Sequence, residues 1–288
     1  MALLDRIERL LFGSPAWKLI LFLFVLNLIK AGVGWMGNAG YSIEIAQNPF
    51  INPILKADDQ YVMWNWLGPF LAWMIGCTSK ASYFVMNICF SIAFTSTVII
   101  TLFQRFEDKF ARIGLLLFSM LPVYTTSYHW VGYDSVTLFL MIVALYKPGA
   151  IGIAGISGWL LGMQHFEQGS IAAAALLLAT LLSKWRNTAT TYSILHCVAL
   201  LAGVALGKLT LTAIFYKFSI HVQTGRMDWL EANLPRLFKE SIAGTQYIVW
   251  SIFGVGWLAA IKYWEYGKNR FAFFSAAMRH VPSAARFR

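Results

Sequence analysis

The chain has 288 residues, 58% of them hydrophobic and only 12% charged, with a net charge of +10. Soluble domains carry about twice that share of charge, so a water-soluble globule is excluded and a membrane protein is expected. The positive excess has no soluble basic face to gather on, which argues against nucleic-acid binding and leaves membrane orientation as its use.

In chain order, residues 1–16 form an amphipathic N-terminal segment, with 1–13 read as a helix on the membrane surface. No small-residue cleavage site follows a short apolar core, so this is not the pattern of a cleavable signal. Apolar stretches near the ~20 residues that cross hydrocarbon as a helix are expected over 17–35, 82–104, 110–125, 133–147, 149–164, 169–184, 190–214 and 242–263. The shorter ones imply tilt, local thinning or burial against neighbours. Alternating barrel strands are absent from the pattern, so the spans are helical. The fold expected is all-α and polytopic, with about eight transmembrane helices plus interfacial helices. It is one transmembrane domain over 17–263, with outer loops at 36–81 and 215–241 and a basic cytoplasmic tail at 264–288.

Residues 62–77 are apolar too. Pro69 and the run Trp64-Asn65-Trp66-Leu67-Gly68 suit an interfacial or re-entrant helix rather than a span. That choice fixes the orientation. With the N-terminus in the cytoplasm, fifteen of the 23 lysines and arginines fall on the inner side. Six fall outside (Lys56, Lys80, Lys217, Arg226, Arg236 and Lys239), and Lys30 and Lys208 lie within spans. The bias follows the positive-inside rule, and both termini are expected in the cytoplasm. The cysteines Cys77, Cys89 and Cys197 follow no metal-ligating spacing.

The acids then stand out. Glu107 and Asp108 sit among Arg105, Lys109 and Arg112 and read as a solvated inner loop. The outer side carries Asp58-Asp59, then His129 and Asp134 in the turn Tyr128-His129-Trp130-Val131-Gly132-Tyr133-Asp134. His165 and Glu167 follow in Gln164-His165-Phe166-Glu167-Gln168-Gly169. Short connections make neighbouring helices adjacent, so these turns are expected to share a polar cavity. Ionisable groups at a membrane boundary are costly, so their gathering points to function. Asp58-Asp59, Asp134 and Glu167 also suit helix starts, and His129 and His165 suit packing or the interfacial belt. Lys208, deep in Gly203-Val204-Ala205-Leu206-Gly207-Lys208, needs an anion or carboxylate partner; a lipid-linked phosphate and an internal acid both fit. The outer segment with Arg226, Trp229 and Leu230 reads as an interfacial helix that can roof the cavity.

Several features together resemble a known family. They are the acidic first outer loop, the segment Trp66-Leu67-Gly68-Pro69-Phe70-Leu71-Ala72-Trp73, and the basic inner loop Phe103-Gln104-Arg105-Phe106. Leu121-Pro122, the aromatic and acidic turn ending at Asp134, and Tyr146-Lys147-Pro148-Gly149 complete the set. This layout resembles the GT-C superfamily of membrane glycosyltransferases, especially its bacterial mannosyltransferase-like members. The resemblance covers roughly 17–185. It implies a polyprenyl-phosphate-linked sugar donor, a cell-envelope glycan or lipid acceptor, and chemistry at the outer face of a bacterial inner membrane. It also implies an outer-loop aspartate as the base. Relatives place that aspartate directly after the first span. Here the stretch reads Trp35-Met36-Gly37-Asn38-Ala39-Gly40-Tyr41, and the nearest acids are Glu44 and Asp58-Asp59.

The site expected on this reading has Asp58, Asp59, Asp134 and Glu167 as catalytic carboxylates. His129, Tyr133, His165, Lys208 and Arg226 bind substrate. No cofactor is required; a divalent cation, Mg or Mn, is an option through the oxygens of Asp58, Asp59 and Glu167. The reading from another class is a transporter, flippase-like protein or assembly subunit that uses the same cavity without bond chemistry.

Overall fold

The structure is a computed structural model. It describes residues 12–31, 39–120, 124, 134–187, 190–225, 228–229 and 231–235, all within the compact unit Met1–Pro235. The expected span 242–263, the tail 264–288 and most of the N-terminal surface helix lie outside these residues. The described residues are helical, with no strand among them. The elements are α1 (Ala16–Ala31), α2 (Ala39–Gln47), a 3₁₀ helix (Ala57–Asn65), α3 (Leu67–Met74) and α4 (Lys80–Arg105). Then come α5 (Asp108–Met120), α6 (Asp134–Tyr146), α7 (Ile151–Trp185) and α8 (Ile194–Lys217).

Three of these, α4, α7 and α8, are long and apolar enough to cross a membrane. Ala16–Leu26 and Ser135–Tyr146 are shorter apolar helices. Within α4 the hydroxyls of Thr97 and Thr101 donate to the carbonyls of Ala93 and Thr97, at 2.8 and 2.7 Å, so these polar groups are satisfied inside an apolar helix. A reciprocal Ser79–Ser82 capping box starts α4, and Ser193 caps α8 by accepting from the His196 N–H at 3.1 Å. Residues 62–77 hold no helix long enough to cross a membrane. They hold the end of the 3₁₀ helix and the eight-residue α3, which at 1.5 Å per residue is about 12 Å long.

The segment expected as two spans, 149–164 and 169–184, is one helical stretch broken at His165, where φ is −159° and ψ is 79°. The chain doubles back there. A methyl placed on Gly169 would lie 3.3 Å from Leu161 Cβ, whereas eight residues of unbroken helix cover about 12 Å. The first arm rises parallel to α8: Gly155 lies beside Ala199, and Gly162 beside Gly207. The second arm descends, since Gly169 meets Val204 while Thr180 Oγ1 is 3.4 Å from Cys197 Sγ, lower on α8. Backbone-to-backbone packing holds the first arm. A Cβ at Gly158, Gly162, Gly203 or Gly207 would overlap the facing main chain, which is the close approach that small residues allow between membrane helices.

One end of the bundle is basic. There the last carbonyls of α6 meet donors from two other helices and the α7–α8 loop. His196 Nε2 lies 3.1 Å from the Ala144 oxygen, and Tyr192 donates to Leu145 at 2.7 Å. Arg105 donates to Leu145 at 3.2 Å and Tyr146 at 2.6 Å. Carbonyls orphaned at a helix end are thereby satisfied. Arg112 joins the same end, bonded to Asp108 at 2.6 Å and to the Ser14 carbonyl at 2.7 Å. The opposite end is capped by α2, the 3₁₀ helix, α3 and the segment after α8. Trp229 extends this cap by packing on Tyr61 at 5.0 Å between ring centroids.

Candidate functional site

The break in α7 gathers most of the chemistry. It lies where the apolar bundle meets the cap, because both arms of α7 turn there and α8 continues past them. Lys208, on α8 beside Gly162, points its ammonium at the face of Trp64, 3.3 Å from the ring centroid. Phe166 lies 5.5 Å away. An ammonium over an indole face is attracted by the ring quadrupole, more strongly where water is excluded. Trp64 also stacks on Phe215 at 5.1 Å, which ties the end of the 3₁₀ helix to the top of α8.

On either side of Phe166 in the chain, His165 Nδ1 lies 3.5 Å from Glu167 Oε2, with the histidine side chain 8% exposed and the glutamate 27%. The same nitrogen is 3.5 Å from the Gln168 backbone nitrogen, whose N–H points to it. The Gln168 contact uses the Nδ1 lone pair as acceptor. Gln164, fully buried one residue earlier, accepts from the Gly68 N–H at 2.6 Å. That bond fixes the start of α3 against the break.

Asp59 is held elsewhere. Its Oδ2 accepts from the Tyr41 hydroxyl at 3.0 Å and pairs with Lys56 Nζ at 3.4 Å. The hydrogen bond to Asp59 raises the Tyr41 phenol above its ordinary value. Asp58 is exposed, in the first turn of the 3₁₀ helix. Of the expected site residues, the break holds His165 and Glu167 side by side, and Lys208 reaches it through the ring of Phe166, 5.5 Å away. Asp58 and Asp59 stand at the far end of the 3₁₀ helix from Trp64. Asp134 is the first residue of α6, and its side chain lies outside the described residues, as do His129, Tyr133 and Arg226. Among the described residues, no group of three or more His, Cys, Asp or Glu is placed to hold a metal ion.

The residues that composition did not single out are Trp64, Phe166, Gln164 and Tyr41. A lysine within an apolar helix signals that some partner must come, but the aromatic face that meets it lies 144 positions earlier in the chain.

A groove of about 470 Å³ opens on the side of the bundle, lined by Ile75, Cys77, Val85, Met86, Cys89, Phe90, Ala93 and Phe139. It follows the first half of α4 down from the cap. Val136, one turn above Phe139 on α6, borders Gly68 and hence Gln164.

Comparison of the chain with protein-family models, with curated proteins and with solved structures returns no match.

Proposed function

We propose that this chain is an integral-membrane glycosyltransferase that takes a sugar from a polyprenyl-phosphate-linked donor at the outer face. The observation that carries the reading is the set Lys208, His165 and Glu167, gathered at the break in α7 where bundle and cap meet. The reading also includes eight spans, cytoplasmic termini and an inner-membrane location.

The chemistry assigns each group a task. An acceptor hydroxyl attacks the anomeric carbon, forming a C–O bond as the bond from that carbon to the lipid phosphate oxygen breaks. The phosphate leaves with the electron pair, and the Lys208 ammonium offsets its charge. The hydroxyl proton passes to Glu167, with His165 beside it to relay it onward. Glu167 is preferred to the loop aspartates on physical grounds. Asp59 Oδ2 is already engaged by Lys56 and Tyr41. Asp58 is exposed to solvent. The lateral apolar groove supports a lipid-linked donor, because a hydrocarbon chain can lie in it.

The test is sugar transfer by the purified full chain, supplied with polyprenyl-phosphate sugars and an acceptor extract. Glu167→Gln keeps the shape and removes the base, so turnover should fall by about 10²–10⁴ while the donor still binds. Full activity in Glu167→Gln together with loss in the Asp58→Asn, Asp59→Asn double variant would move the base to the first outer loop. Absence of transfer from every donor by the wild-type chain would reject the enzyme reading.

A further inference from the structure

The cap holds a second cleft, of about 370 Å³, on the other side of the 3₁₀ helix from Tyr41 and Asp59. Its walls come from residues 50–55 and 218–221, with Gln60 between them. Three long-range or buried hydrogen bonds set its shape. Asn52 Nδ2 donates to the His221 carbonyl at 2.8 Å. Gln60 Nε2 donates to the Ile54 carbonyl at 3.0 Å, and its Oε1 accepts from the Gln223 N–H at 2.8 Å. Segments more than 160 positions apart are thereby tied across the cleft before any ligand arrives. Its apolar wall holds Phe50 and Phe218, 4.5 Å between ring centroids, together with Ile51, Ile54, Leu55 and Ile220. Ser219 closes α8 in the left-handed region, at φ 54°. The backbone turns there, and Ser219 and His221 are both exposed at the cleft.

We propose that this cleft is the acceptor subsite and that it takes a saccharide. The inference rests on the glycosyltransferase reading above and adds the chemical class of the acceptor. A sugar ring offers weakly positive C–H faces and a rim of hydroxyls. Aromatic rings with a negative face meet the first, and Ser219 and His221 can exchange hydrogen bonds with the second. The described residues lining the cleft include no lysine or arginine, and the ammonium of Lys217 at its edge lies over the Phe218 ring, 5.8 Å from the centroid. The volume is in the range of small-ligand sites, about 300–1,000 Å³. Gln60 directly follows Asp58-Asp59 and lies four positions before Trp64. At about 2 Å per residue of 3₁₀ helix, Gln60 is about 8 Å from the tryptophan that covers Lys208. A saccharide seated at Gln60 therefore reaches toward the break with its next ring.

Saturation-transfer NMR on the full chain in lipid nanodiscs, with a panel of methyl hexosides and disaccharides, tests this directly. The wild-type chain should saturate ring protons of at least one sugar. Phe218→Ala and His221→Ala, both at exposed positions, should each weaken that sugar's binding by about tenfold while circular dichroism stays unchanged. No saturation of any sugar by the wild-type chain would overturn the proposal. So would equal binding in both variants, or displacement of the sugar by glycerophosphate alone. The two readings fail separately. Sugar binding that depends on Phe218, without any transfer activity, leaves the cleft standing and rejects the transferase. Transfer with an acceptor KM untouched by either variant leaves the transferase standing and rejects the cleft.

Discussion

Lys208 shows how a single residue is accommodated where charge is expensive. Its ammonium lies over Trp64, with Phe166 nearby, and such a contact contributes about 0.5–2 kcal/mol, the higher figure where desolvated. Two outcomes follow. Trp64→Leu should lower stability in detergent by roughly 1–2 kcal/mol more than Trp64→Phe, because only the ring face is lost in the first. Paired thermal and denaturant unfolding curves check it, and equal losses would contradict the contact. Lys208→Met should leave the helix intact yet abolish donor binding, with Lys208→Arg restoring part of it; retained binding of a polyprenyl-phosphate sugar by Lys208→Met would remove the lysine's assigned role. The sequence exposes Lys208 as an anomaly because a cation interrupts an apolar run. It does not reveal the partner, since an aromatic face brought from the 3₁₀ helix is a tertiary fact. The same holds for Asp59. Its place at a helix start is legible, and the Tyr41 hydroxyl that occupies it is not.

Among the elements, the α7 hairpin and α8 depend on glycines that let main chains touch. Gly162 faces Gly207, Gly158 meets the backbone of Leu200 and Val204, Gly203 meets that of Gly155 and Trp159, and an added Cβ at any of the four would overlap backbone atoms that cannot move aside. Gly155 is different: its nearest neighbour, the Ala199 oxygen, would be 3.9 Å from the new Cβ. Gly207→Ala should therefore cost at least the ~1–3 kcal/mol typical of overpacking, whereas Gly155→Ala should be neutral or stabilising. Thermal unfolding of the two variants side by side decides this, and equal effects would contradict the packing. The paired G-x-x-x-G spacings stand in the sequence, and apolar length alone separates the helices. Which glycines face each other follows only once the chain reverses at His165. Pro69 and the tryptophans around it made residues 62–77 readable as non-spanning, because proline removes a backbone donor and tryptophan prefers the interface.

At the scale of the whole molecule, one end is basic, carrying Arg105, Lys147, Lys184 and Arg186, while the other carries the cap. On the proposed reading, the positive-inside rule puts the cap outside. Single-cysteine labelling in intact cells should mark position 57 at once and position 108 only after permeabilisation. Labelling of 108 in intact cells would invert the molecule and move the break at His165 to the cytoplasmic half.

The central claim is that the groups gathered at that break carry out sugar transfer from a lipid-linked donor. The most direct measurement compares turnover of the wild-type chain and Glu167→Gln, purified into nanodiscs with radiolabelled polyprenyl-phosphate sugars and an acceptor extract. The account predicts transfer by the wild-type chain and a loss of about 10²–10⁴ in the variant, with donor binding retained. Transfer that is undiminished in Glu167→Gln, or absent from the wild-type chain with every donor, would contradict it.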